Sequence, residues 1–235
     1  MDETGWREDG QNGCVWGLTT LGPQAVRYYH YDHSHAGAVA TTLLGDFAGH
    51  LSTDFSGVYN AYSGKHQRCW THLLRDLHDL KKAQADNAEV RAWAKDVRAL
   101  YDEAQAALHG PTPLRQPQRE RLYRQLEDRA HILGLAHAGP ANKEHPCHAL
   151  CQRLLRHQGE LFQFVRVPEL SATNNAAERM LRPLVITRKI SGGSRTPAGT
   201  ATRMALSTLF GTWTARGLNT FHACLSLLHS ALPQI

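Results

Sequence analysis

No stretch of this chain stays apolar for the roughly 20 residues that a membrane-spanning helix needs, and its acidic opening, MDETGWRED, is unlike a signal peptide. Cysteine is scarce. The five present are odd in number and irregular in spacing, which predicts reduced thiols in the cytosol rather than a disulfide framework. Internal repeats and low-complexity runs are missing, so neither a solenoid nor a disordered tail is expected. Charged residues make up only 20% and hydrophobic ones 42%. At 235 residues the chain can bury a core, and suits one large domain or a core with an insertion.

Lys and Arg total 26 against 21 for Asp and Glu, a net charge of +5 with a pI near 9.1. That balance permits a polyanionic partner without demanding one. Fifteen histidines add charge as pH falls toward about 6. His145, Cys147, His148 and Cys151 in HPCHALC are ligand-type residues. No second ligand pair stands at zinc-finger spacing, so helix-surface and core roles are the favoured reading.

Residues 1–31 read as a three-stranded antiparallel meander: DETGWRE, the turn signal DGQNG, CVWGLTT, then AVRYYHY. SHAGAVATTLLGDF reads as a helix capped by Ser34. GHLSTD reads as a strand ending at Asp54, FSGVYNAYSG as a short helix, and HQRCWTHL as one more strand. From 81 to 165 the apolar residues fall at helical spacing and no strand signal appears. Beyond it, Thr196 as N-cap, Pro197 at the first helical position and Gly217 past the end bound another helix, followed by TFHACLSLL. The expected organisation is an α/β sheet layer in 1–80, a helical insertion in 81–165, and a closing helical part in 166–235.

Three acids invite a chemical reading. Glu178 falls in the first turns of a helix capped by Thr173 or Asn174, where the dipole stabilises any carboxylate. Yet Arg179, Arg182, Arg188 and Lys189 crowd the same segment, with Asn174 and Asn175 ahead of them. A metal-binding carboxylate set in a phosphate-gripping helix has this composition. Asp54 closes a predicted strand, where α/β sheets place ligands, though it also suits a helix cap. Asp2 lies in a predicted strand, an unusual place for an acid unless it is exposed or functional.

The segments DETGW, GDFAGHLSTDFSGVYNAY, CWTH and TNNAAERMLRPLVITRKISGG resemble those of the insertion sequence 66 family of bacterial transposases. The likeness covers nearly the whole chain and is weakest in the helical block. It implies a DDE catalytic domain on a ribonuclease-H-like fold, a mixed sheet flanked by helices with an all-helical insertion before the Glu-bearing helix. Asp2, Asp54 and Glu178 match the catalytic triad, 52 and 124 residues apart. They would hold two Mg²⁺ ions, with Mn²⁺ as a substitute. CWTH also resembles the Cys-x-x-His element of hobo/Activator-type transposases, which assigns His72 to DNA phosphate or the active site.

The resemblance further implies transposon-end DNA and target DNA as partners, contacted by His72, Asn174, Asn175, Arg179, Arg182, Arg188, Lys189 and Arg195, and a homodimer on DNA. No small-molecule substrate or membrane is expected, and the location implied is the bacterial cytoplasm, at the nucleoid. SGGSR (191–195) reads either as a loop that lets backbone approach a phosphate or as a plain turn between helices. Only Met1 precedes Asp2, so a shortened first strand and a missing DNA-recognition region are expected. A catalytically weak or inactive DNA-binding remnant is the alternative. A junction resolvase is a third reading, disfavoured by NNAAER and by the helical block.

Overall fold

The computed structural model describes residues 1–231, which divide into two compact units. The first comprises Met1–Asp46, Gly57–Ala61 and the chain from Asn175 onward; the second comprises Phe47–Ser56 and Tyr62–Asn174. No helix among the described residues is long and apolar enough to cross a membrane.

In the first unit, β1 (Asp2–Glu8), β2 (Gln11–Thr19) and β3 (Arg27–Asp32) form an antiparallel sheet in sequence order. The DGQNG signal forms the first turn, with Asp9 and Gly10 both at positive φ, 50° and 74°, the twist that two-residue hairpins favour. One sheet face carries Trp6, Val15 and Tyr29, packed against Met180, Leu181 and Leu184 of α7 (Asn175–Ser191) and Met204 of α8 (Pro197–Ala215). Thr212 and Thr208 of α8 accept hydrogen bonds from the main-chain N–H groups of Arg27 and Tyr29 at 3.0 and 3.2 Å, which closes the β3 edge. The N-cap and first-turn proline of α8 are as predicted: Thr196 accepts from the Gly199 N–H. The last helix, α9, is Thr220–Ala231.

The predicted helix after the meander is α1 (Gly37–Leu44), but its N-cap is Ala36. Ser34, three residues before the helix, instead accepts the Ala36 N–H on its hydroxyl oxygen. The expected helix in FSGVYNAYSG is reduced to a 3₁₀ turn, Gly57–Tyr59, whose Tyr59 is buried.

In the second unit, β4 (His50–Thr53) and β5 (Lys65–Arg68) pair in parallel, His50 opposite Lys65 and Thr53 opposite Arg68. The α/β class holds, but the described strands hydrogen-bond as two separate sets. The strand expected over 66–73 stops at Arg68, and Trp70 begins α2 (Trp70–Ala83). Tertiary bonds explain the switch: the Trp70 N–H donates to the Ala172 carbonyl and its indole to the Leu161 carbonyl at 2.6 Å. The block that follows is helical as expected: α3 (Ala88–Leu108), α4 (Gln116–Leu135), α5 (His148–Leu161) and the short α6 (Gln163–Arg166). Asn87 caps α3 by accepting from the Val90 N–H. The core of this unit is Trp70, Leu73, Val97, Leu100, Leu126, Leu154 and Phe162, and β5 is tied to the helices around it by Gln67, whose amide donates to the Leu161 carbonyl at 3.0 Å and accepts from the Phe164 N–H at 3.0 Å.

Candidate active site

Strand alternation decides where Asp2 lies. It pairs with Gly17 of β2, and directly opposed residues share a sheet face. A Cβ at Gly17 would lie 2.9 Å from Leu181 Cδ2 and 3.2 Å from Met180 Cε, so this is the face that α7 covers. Asp2 therefore shares a face with Thr4 and Trp6, beneath α7. Glu178 stands in the first turn of that same helix, half-buried, one turn before Leu181. The opposite face carries Glu3, which sequence reasoning did not single out. Its carboxylate accepts from the Tyr59 hydroxyl and from His35 Nε2 at 3.0 Å. Its acidity beside Asp2 was the only available signal.

Asp54 belongs to the second unit and lies one residue past β4. It caps no α-helix. Its Oδ1 accepts from the Ser56 N–H at 2.8 Å, a local turn that fixes the carboxylate against its own backbone. Asp2, Asp54 and Glu178 are hard oxygen donors, and Asp54 commits only Oδ1 to this turn. That donor chemistry fits Mg²⁺ or Mn²⁺.

Cys69 is the N-cap of α2 and is completely buried. Burial alone would raise its thiol. Hydrogen bonds from His72 and from the Asn174 N–H, 3.1 Å from Sγ, outweigh that and hold it below its ordinary value. His72, half-buried, lies in the first turn of α2 beside this thiol. Asn174 is 3% exposed, with its main chain tied to Cys69.

The remaining predicted contacts separate by exposure. Arg179, Arg182, Lys189 and Arg195 are exposed, and Asn175, at the start of α7, is half-buried. Arg188 turns back onto β1, donating to the Gly5 carbonyl and, at 3.2 Å, to the Thr4 hydroxyl. The SGGSR loop does the same with its backbone. Ser194 donates its N–H to the Arg7 carbonyl at 2.8 Å and accepts from the Asp9 N–H at 2.9 Å, a parallel bridge on the outer edge of β1. The Trp6 indole donates to the Ser194 hydroxyl at 3.2 Å.

The HPCHALC residues do not assemble into one ligand set. Cys147 and Cys151 are buried, and burial lifts their thiols to about 12 and about 11. His145 instead stacks on His137, ring centroids 3.7 Å apart and planes within 6°. Both Nε2 atoms face Glu89, at 3.7 Å from His137 and 3.8 Å from His145. Parallel rings aim their lone pairs side by side rather than at one point. His145 Nδ1 also accepts from the Cys147 N–H, which leaves the proton of the neutral ring on Nε2. The group therefore reads as a stacked pair facing a carboxylate, not as a metal centre.

A family model described as Transposase IS66 family matches residues 1–202. An uncharacterized protein of Sinorhizobium fredii is 29% identical over 182 residues, covering 77% of this chain and 52% of its own length. The chain thus spans about half the length of that curated relative. No solved structure matches.

Proposed function

We propose that this chain, which belongs to the IS66 family of transposases, carries the catalytic part of a DNA transposase, cutting phosphodiesters at transposon ends and joining them to target DNA. The observation that carries this reading lies within the first unit: β1 and α7 bring Asp2 and Glu178, two of the three acids proposed here as catalytic, to one side of one sheet. The element order, three antiparallel strands, a helix and a further strand, supports a ribonuclease-H-like core.

Asp2, Asp54 and Glu178 are the residues that would hold the divalent ions. Mg²⁺ or Mn²⁺, when bound, supplies an activated water and takes up charge on the leaving 3′ oxygen. The chain's own contribution is positioning. Exposed Arg179, Arg182, Lys189 and Arg195 would grip backbone phosphates, and His72, Asn174 and Asn175 would serve as further DNA contacts. In-line displacement draws most of its acceleration from such orientation and charge neutralisation. Pairing of two ends calls for two copies of the chain on DNA.

The test is nicking of supercoiled plasmid with Mn²⁺ or Mg²⁺. Glu178→Gln and Asp2→Asn should lose nicking while keeping plasmid affinity; unimpaired nicking by either refutes the assignment. The exposed cations of α7 also support a second reading, DNA binding without catalysis. A wild-type chain that binds plasmid but never nicks it would favour that one.

A further inference from the structure

Arg68, the last residue of β5, is 1% exposed. A guanidinium at that depth persists only when its charge is met and its fork of donors is matched. Glu160 of α5 meets the charge: its Oε2 accepts from Arg68 Nε at 2.6 Å. The same carboxylate accepts from His157 Nδ1 at 2.9 Å, so two donors fix its orientation. With one side of the fork committed, the other side turns toward β4. Arg68 Nη1 donates to the main-chain carbonyl of Asp54 at 2.9 Å and reaches the Ser56 carbonyl at 3.4 Å and the Thr53 hydroxyl at 3.5 Å. Thr53 adds a second bond to the Asp54 carbonyl at 2.8 Å, and its hydroxyl is itself met by His66 Nε2 at 2.7 Å.

These bonds converge on one turn. On its side-chain side, the turn is closed by the Ser56 N–H on Asp54 Oδ1. On its main-chain side, it is closed by Arg68 and Thr53. We propose that Arg68, braced by Glu160, is a positioning residue for the Asp54 carboxylate: it clamps the peptide that carries this acid and so sets the direction in which Oδ2 points. The proposal deepens the transposase reading and rests on it for the role of Asp54. A misplacement of about 1 Å at a reacting group can cost roughly 100-fold in rate, which is the scale of effect a clamp guards against. Lysine cannot replace it, because a single ammonium does not span Glu160 and the Asp54 carbonyl together.

Amide hydrogen exchange at Ser56 reads the clamp directly, in the full chain and without any activity. In Arg68→Lys and in Glu160→Gln, Ser56 should exchange about tenfold faster or more, the loss of one charge-assisted hydrogen bond, while core amides such as Leu100 keep wild-type protection. Unchanged Ser56 exchange in a folded variant overturns the proposal. If Arg68→Lys does not fold, Glu160→Gln decides, since its side chain is a third exposed and close in shape. In plasmid nicking, Glu160→Gln should raise the Mn²⁺ half-saturation concentration about tenfold with plasmid affinity unchanged; an unmoved half-saturation also overturns the positioning role. A wild-type chain that does not nick sinks the transposase reading instead, and the Ser56 exchange still decides whether the clamp exists.

Discussion

Gly193 passes directly over the carbonyl of Arg7, with no room for a Cβ between them. Its φ of 128° is also one that side-chain-bearing residues rarely adopt. Gly192, next to it, has a positive φ of 74° but open space around it. Gly193→Ala should therefore cost roughly 2–3 kcal/mol, from strain and overlap together, and Gly192→Ala about 1 kcal/mol from strain alone. Urea denaturation of the two variants checks the order; equal losses would mean that the loop does not lean on β1 in solution.

The Arg68 network predicts how stability depends on pH. His66 is pushed down from 6.5 to about 3, first by burial and then by the Arg68 guanidinium. Burial would raise Glu160, but the hydrogen bonds of His157 and Arg68 outweigh it and bring the carboxyl from 4.5 to about 2. Between pH 6.5 and about 3 the unfolded chain takes up a proton at His66 that the folded chain refuses. Between 4.5 and about 2 the same holds for Glu160. Both contributions are lost as pH falls. The urea midpoint should drop steadily from pH 7 toward pH 4, and His66→Gln should flatten the upper part of that slope.

Salt dependence should sort the cations. Arg179→Ala, Arg182→Ala and Lys189→Ala should each weaken plasmid binding and lower the salt slope by about one, without loss of thermal stability. Arg188→Ala should also lower the melting temperature, because that side chain holds Gly5 and Thr4 of β1. Filter binding across a salt series, paired with melting curves, separates the two classes.

Cys69→Ala strips the acceptor from the buried Asn174 N–H and should cost about 1–3 kcal/mol. Cys69→Ser keeps an acceptor there and should cost less. Denaturant midpoints of both variants give the comparison; equal losses would assign the effect to packing alone.

Much of this was legible in the chain. Alternation and the DGQNG turn located the meander, and helical spacing located the block from Ala88 onward. FSGVYNAYSG misled because its tyrosines answer to partners far along the chain. Tyr59 donates to Glu3 and Tyr62 to the Gly49 carbonyl, and glycines at 57 and 64 leave little local preference for a helix. The start of α2 was hidden for a similar reason: it is set by Leu161 and Ala172, both remote in sequence. Asp2, Asp54 and Glu178 were visible as acids in basic or strand-end settings. Arg68 was not, because nothing local marks an arginine whose carboxylate lies 92 residues away.

That distance has a consequence during synthesis. Arg68 leaves the ribosome 92 residues ahead of Glu160, a wait of roughly 5–18 seconds at ordinary elongation rates. Through that interval Arg68 of β5 waits for Glu160, and Gln67 and Trp70 await the Leu161 carbonyl as well. The nascent β4–β5 ribbon must stay hydrated and open until α5 emerges, which makes the translating polysome, rather than the finished molecule, the place where this half of the protein is most exposed to chaperones and proteases.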